Sequence, residues 1–316
     1  MNIMGWHGIR VLVVGFAVGV GLLGCGDVVK RLAIHTMSDM IAAGQSVYER
    51  EPDLELAAQA LAANLKLIEA LLESAPQHSV LLLQATRGFA AYAYAVAEGQ
   101  LEGPQGHISG DVDFHRRQQT RRARALYQRG LQYGLRLLSL DRADWRQAAS
   151  LEVAVLDERL QQLPPEAVPA LFWTAFCWGG MLNMARDALD TLTALPRLEA
   201  LLTRLVELDE TYFYGAPHLL LAVHYASRAP MLGGKPEQAR FHFERAAALS
   251  RGKLLLVPLL EAQYYAVQIQ DRAHFVKSLQ HVLQASETLL PEQAFLNALA
   301  KQRAALLLER ANALFL

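Results

Sequence analysis

Apolar residues recur at i, i+3, i+4 and i+7 from Val28 to Phe315, with almost no run in which apolar and polar residues alternate. That period gathers side chains on one face of a helix, whereas a strand needs a period of two, so the chain is confined to an all-α architecture. The stretch from Leu54 to Leu72 shows the pattern plainly, with Leu54, Ala57, Ala58, Leu61, Leu65, Ile68 and Leu72 on one face. Asp53 stands where an N-cap is needed and Pro76 closes the segment. Further helices are expected at 79–97, 114–138, 143–162, 166–193, 198–208, 217–227, 236–249, 255–268, 272–286 and 292–314. Most links between them are short, as antiparallel neighbours require.

Two stretches interrupt this order. Gly99 to Asp113 carries four glycines and a proline and reads as a loop. Leu163 to Pro169 holds three prolines, which start a helix more readily than they continue one, and marks a possible subdivision of the chain near 163–169. Within the helices, a small, bulky, small triad recurs at Ala63, Leu67 and Ala70, at Ala123, Tyr127 and Gly130, and at Ala239, Phe243 and Ala246. Small residues at such spacing let neighbouring helices approach, the device of tetratricopeptide hairpins. The triads start 60 and 116 residues apart, not at multiples of a 34-residue repeat, so the expected fold is a degenerate tetratricopeptide-like array of antiparallel helical hairpins.

The N-terminus has its own logic. A short segment ending in Arg10 precedes 13 apolar residues from Val11 to Leu23, too few for the roughly 20 that span a bilayer but right for a secretory signal. Leu22, Leu23, Gly24 and Cys25 resemble the lipobox of bacterial lipoproteins. The expectation is a signal peptide over 1–24 and a mature helical domain over 25–316, anchored to the membrane through lipid on Cys25, with two or more acyl chains giving stable attachment. Gly26 after the cysteine points to the outer membrane, so the protein is placed in the periplasm. Cys177 is then left alone between Phe176 and Trp178, where a buried small apolar group is the simplest reading. A net charge of −1 leaves out the basic footprint of a nucleic-acid binder.

Residues that suggest chemistry mostly lack the frame for it. His218, His224 and His242 show no i, i+4 pair for a metal, and the Gly233–Gly234–Lys235 run is followed by Pro236 where a phosphate loop needs a hydroxyl. No metal, cofactor or enzymatic activity is expected, since no nucleophile and base occur in a recognisable frame. The basic run from His115 to Gly130 is either a solvated helix face or a contact for acidic groups. Residues 167–185 contain no charge until Arg186 and read as a central buried helix, on which Phe172, Trp173 and Trp178 would line any enclosed channel. Tyr212, Phe213, Tyr214 and His218, around a Gly-Ala-Pro turn, either pack the next hairpin or line a cavity or partner surface.

The segment Tyr212 to Gly252, Asp271, Phe275, the tail Leu296 to Phe315 and the aromatic stretch Phe172 to Asn183 resemble the TatT family. These are the T components of tripartite ATP-independent periplasmic (TRAP) transporters. The resemblance is strongest from Pro169 to Phe315. It implies a lipid-anchored periplasmic scaffold that binds a TRAP-type periplasmic solute-binding protein and a hydrophobic ligand, as a homo-oligomer without catalytic residues. The other function compatible with the lipobox and the array is a structural tetratricopeptide lipoprotein of an outer-membrane assembly complex.

Overall fold

A computed structural model describes residues 28–102, 112–140, 145–186 and 188–315. Cys25 and the whole expected signal segment therefore lie outside the described residues, as does most of the glycine-rich stretch. The helices in chain order are α1 (28–43), α2 (Gln45–Glu49), α3 (Leu54–Ser74), α4 (Ser79–Tyr92), α5 (Gly99–Glu102), α6 (Val112–Leu138), α7 (Val153–Gln161) and α8 (Val168–Asn183). They continue with α9 (Leu189–Asp209), α10 (Tyr212–Ala226), α11 (Pro236–Leu249), α12 (Leu256–Leu260), α13 (Arg272–Gln284), α14 (Ala294–Glu309) and α15 (Ala311–Leu314). No strand occurs among the described residues. The architecture is all-α, an array of helical hairpins in which α3 packs on α4, α8 on α9, α10 on α11 and α13 on α14. Helix α14 also packs against α2, α3 and α5, which joins the C-terminal end of the array to its beginning.

Helix α3 shows why these residues form these elements. The Asp53 carboxylate accepts from the backbone N–H groups of Glu55 and Leu56, both at 3.0 Å, and so satisfies two donors the helix start leaves open. Ala57, Leu61, Leu65, Ile68 and Leu72, at spacings of three and four, are its buried face. Burying each of the large residues stabilises the fold by about 1.5–3 kcal/mol. The run Ser79–Leu101 is long and apolar enough to cross a membrane, but half of its apolar window is buried in the protein.

Close seams hold the middle of the array. A Cβ added at Gly130 of α6 would lie 2.6 Å from the Cys177 Sγ of α8 and 3.0 Å from the Phe89 Cβ of α4, so the three helices approach where this glycine lets them. Across the same seam, a Cβ at Gly180 would sit 2.5 Å from the Tyr127 ring. The triads of Ala123, Tyr127 and Gly130 and of Ala239, Phe243 and Ala246 are buried in such seams. Ala63, Leu67 and Ala70 are instead exposed, Leu67 at 43%, because α3 packs through its opposite face.

Four expected boundaries are corrected. The helix foreseen over 143–162 is a tight 3₁₀ segment, Trp145–Ser150, then α7, because Glu152 adopts an extended backbone between them. The helix foreseen over 166–193 ends with α8 at Asn183, and α9 restarts after the extended residue Ala188. Pro196, which falls between the helices expected over 166–193 and 198–208, lies inside α9, which burial of Thr191, Leu198, Leu201, Leu202 and Leu205 holds together on both sides of it. The expected loop from Gly99 is helical at both ends, in α5 and from Val112.

Candidate functional site

Between α9 and the right-handed part of α10 the chain makes a left-handed turn. Phe213 (φ 45°, ψ 53°), Tyr214 (φ 62°, ψ 33°) and Gly215 (φ 81°, ψ 18°) are consecutive, and Pro217 stands in the first turn of the helix that follows. A left-handed conformation costs an ordinary residue about 1–2 kcal/mol, so the surroundings must hold Phe213 and Tyr214 there. The Phe213 ring lies 5.8 Å from Trp173 and 6.1 Å from Phe172, and Tyr212 lies 5.1 Å from Phe172. The Arg87 guanidinium sits over Trp173 at 5.0 Å and over Phe213 at 5.9 Å, and it is ion-paired with Glu49. Cation–π contacts of this kind strengthen as water is excluded. Trp173, Phe213, Arg87, Tyr48 and Phe295 border a cleft of about 60 Å³.

Beyond Phe176 this aromatic cluster meets a central cavity of about 70 Å³. Two short π-helical turns border it. Ala93–Glu98, continuing α4, contributes Tyr94 and Glu98, while Glu261–Ala266, continuing α12, contributes Tyr264. Such turns widen a helix by a residue per turn and occur often at functional sites. Glu98 accepts a hydrogen bond from the Tyr127 hydroxyl and faces Arg303 at 3.5 Å, and the Arg303 guanidinium lies 4.2 Å from the Tyr94 ring centre. Burial together with Glu98 pushes the Tyr127 hydroxyl well above the ordinary tyrosine range. His224 and Arg228 close the cavity from the side of α10.

A polar group flanks the same helix. His218 Nδ1 and His242 Nδ1 are 2.7 Å apart, so a single proton joins the two rings. His218 Nε2 lies 3.0 Å from Glu210, whose carboxylate also takes Arg245. Burial, reinforced by His218, lowers His242 to about 4, and the Arg245 hydrogen bonds, with His218 second, hold Glu210 at about 2. Among the described residues no group of three or more side chains is placed to hold a metal ion.

The residues singled out from the sequence fall in different surroundings. Phe172, Trp173 and Trp178 are buried, at 2%, 7% and 1% exposure. Tyr212, Phe213 and Tyr214 are half-buried on the rim of the core, and His218 is buried in the histidine pair. Phe172, Trp173, Tyr212 and Phe213 come together as one cluster, with Phe176 joining at 5.8 Å from Trp173. Sequence reasoning passed over Phe176, Glu98 and Arg228. For Arg228 a signal existed: with His224 it forms an i, i+4 polar pair on an otherwise apolar stretch.

The model of the family described as TRAP transporter T-component matches residues 50–315. The chain belongs to the TRAP transporter T-component family. An uncharacterized protein of Treponema pallidum (strain Nichols) is 28% identical over 307 residues, covering 92% of this chain and 93% of that one. A T-component is part of a transporter system, which gives this chain a TRAP-associated role and a periplasmic or membrane-associated place. The T-component match takes in α3 to α15, and with them both the left-handed aromatic turn and the central cavity.

Proposed function

We propose that this T-component is a periplasmic scaffold, anchored by lipid on Cys25, that binds a periplasmic solute-binding protein of TRAP type and holds a hydrophobic ligand during uptake. The observation that carries the reading is the family match over nearly the whole helical array, which associates the chain with TRAP transporter components. The aromatic cluster around Phe172 and Trp173 and the largely apolar cavity beyond Phe176 support the ligand part, because concave apolar sites with a few polar groups are where small molecules bind. The half-exposed edge of Tyr212, Phe213 and Tyr214 is the surface we assign to the partner, since rigid aromatic side chains carry much of the energy of protein interfaces.

Cross-linking in native membranes followed by affinity purification tests this. A solute-binding protein of a TRAP system is the expected partner. Recovery of outer-membrane assembly factors in its place would overturn the proposal. Replacing Cys25 with Ala should release the protein from the membrane fraction.

A further inference from the structure

Helix α1 carries apolar residues on two sides. Ile34, Ser38 and Ile41, at spacings of four and three, turn towards the protein, where Ile34 packs with Ile68, Leu72, Leu81 and Leu82 and Ile41 borders the same cluster. Val29, Leu32, Thr36 and Met40, at spacings of three, four and four, form a second stripe on the side turned away. Val29, Leu32 and Met40 are 64%, 65% and 69% exposed. Thr36 belongs to this stripe because its hydroxyl already donates to the Leu32 carbonyl at 3.0 Å and needs no water. Val28 and Met37 are exposed along its edges, so five large apolar side chains stand in solvent on this one helix. A patch that dense marks a surface that something covers.

The position of the helix in the chain says what covers it. Helix α1 starts at Val28, three residues after Cys25, and three residues reach at most about 11 Å even when fully extended. Lipid on Cys25 therefore holds the first turn of α1 at the bilayer surface, whatever else the array binds. An apolar helix face held there sinks roughly 5–10 Å into the boundary between headgroups and acyl chains. Lys30 is exposed on the border between the two faces, where its long side chain can reach headgroup phosphates. Asp39, the acid beside the stripe, stands near the far end of the helix and lies 3.9 Å from His35. Contact with lipid thus weakens along α1 from Val29 towards Met40. A second copy of the chain on the same face would have to displace the bilayer next to it.

We propose that α1 is a membrane-seated helix, lying at the lipid surface through Val29, Leu32, Thr36 and Met40, so that the bilayer holds the helical array in one orientation. The inference rests on the Cys25 anchor of the reading above and adds to it the face that meets lipid. A cysteine scan tests it, with the lipidated full chain reconstituted in vesicles of phosphatidylethanolamine and phosphatidylglycerol, with and without a nitroxide on the acyl chains. With Cys25 acylated and Cys177 fully buried, an introduced cysteine is the one thiol open to a fluorophore. Probes at Val29→Cys and Leu32→Cys should be quenched by the nitroxide lipid about threefold or more above a probe at Arg31→Cys, which lies off the stripe on the same helix, with Met40→Cys between them. All four positions are exposed, so the Tm should stay that of the unaltered chain. Equal quenching at the four positions, or none, in a chain that floats with the vesicles would overturn the seating and leave the anchor standing. Shielding of the Leu32 probe from iodide that grows with protein concentration, without quenching by the nitroxide lipid, would assign the face to a second copy and overturn it as well. A chain that does not float with the vesicles would remove the anchor and the seating with it.

Discussion

His242 is held neutral by burial and by His218, with its proton affinity lowered to about 4. An unfolded histidine titrates near 6.5, so between about pH 6.5 and 4 the unfolded chain binds a proton the folded one does not, and stability falls as pH drops through that window. Glu210 acts lower. Its carboxyl is held at about 2, so its contribution is complete above the unfolded value near 4.5 and is lost as pH falls towards 2. Urea melts across pH should show His242→Gln flattening the decline between pH 6.5 and 4, and Glu210→Gln reducing the further decline below pH 4.5. At Gly215 the backbone itself is the constraint: φ is 81°, and an added Cβ would stand 2.7 Å from the Leu249 Cβ. Gly215→Ala should therefore cost about 1–3 kcal/mol in a denaturant melt. At this scale the Asp53 cap was legible because capping is local chemistry. The His218–His242 pair was not, since its rings meet across two helices from positions 24 apart in the chain.

Helices announce themselves in sequence wherever both ends carry local signals. Pro236 opens α11 at its first turn, and its expected span, 236–249, is the observed one. Where an apolar run has no stop signal, as over 166–193, period alone carries the expected helix past Asn183, where α8 ends. The seam between α6 and α8 turns on residues with almost no side chain. Gly180→Ala puts a Cβ 2.5 Å from the Tyr127 ring and should destabilise by about 1–3 kcal/mol. Gly99→Ala is the matched control, because nothing lies within 4 Å of its added Cβ, and it should stabilise by about 0.5–1 kcal/mol through helix propensity. Equal effects from the two substitutions in thermal melts would show that seam packing is not what constrains Gly180.

Across the whole molecule, Arg303 ties the last long helix to the π-helical turn after α4. It is 1% exposed, faces Glu98 across 205 residues of sequence and lies over Tyr94, so one side chain joins the two ends of the array. Arg303→Leu should cost about 3–5 kcal/mol by leaving the Glu98 charge buried without its cation. Combined with Glu98→Gln it should cost clearly less than the sum of the two single changes, which a double-mutant cycle in denaturant measures. Additive losses would mean that the pair is not coupled.

The sequence by itself determined the all-helical class, the buried face of α3, the resemblance to T components and the turn before Pro217, because period, caps and glycine act over a few residues. Only the tertiary structure decided which polar groups end up without water. Arg116 and Arg228 look alike in sequence, yet one is solvated and the other is 5% exposed on a cavity wall. Burial depends on which helices meet, and that is settled by packing among residues far apart in the chain.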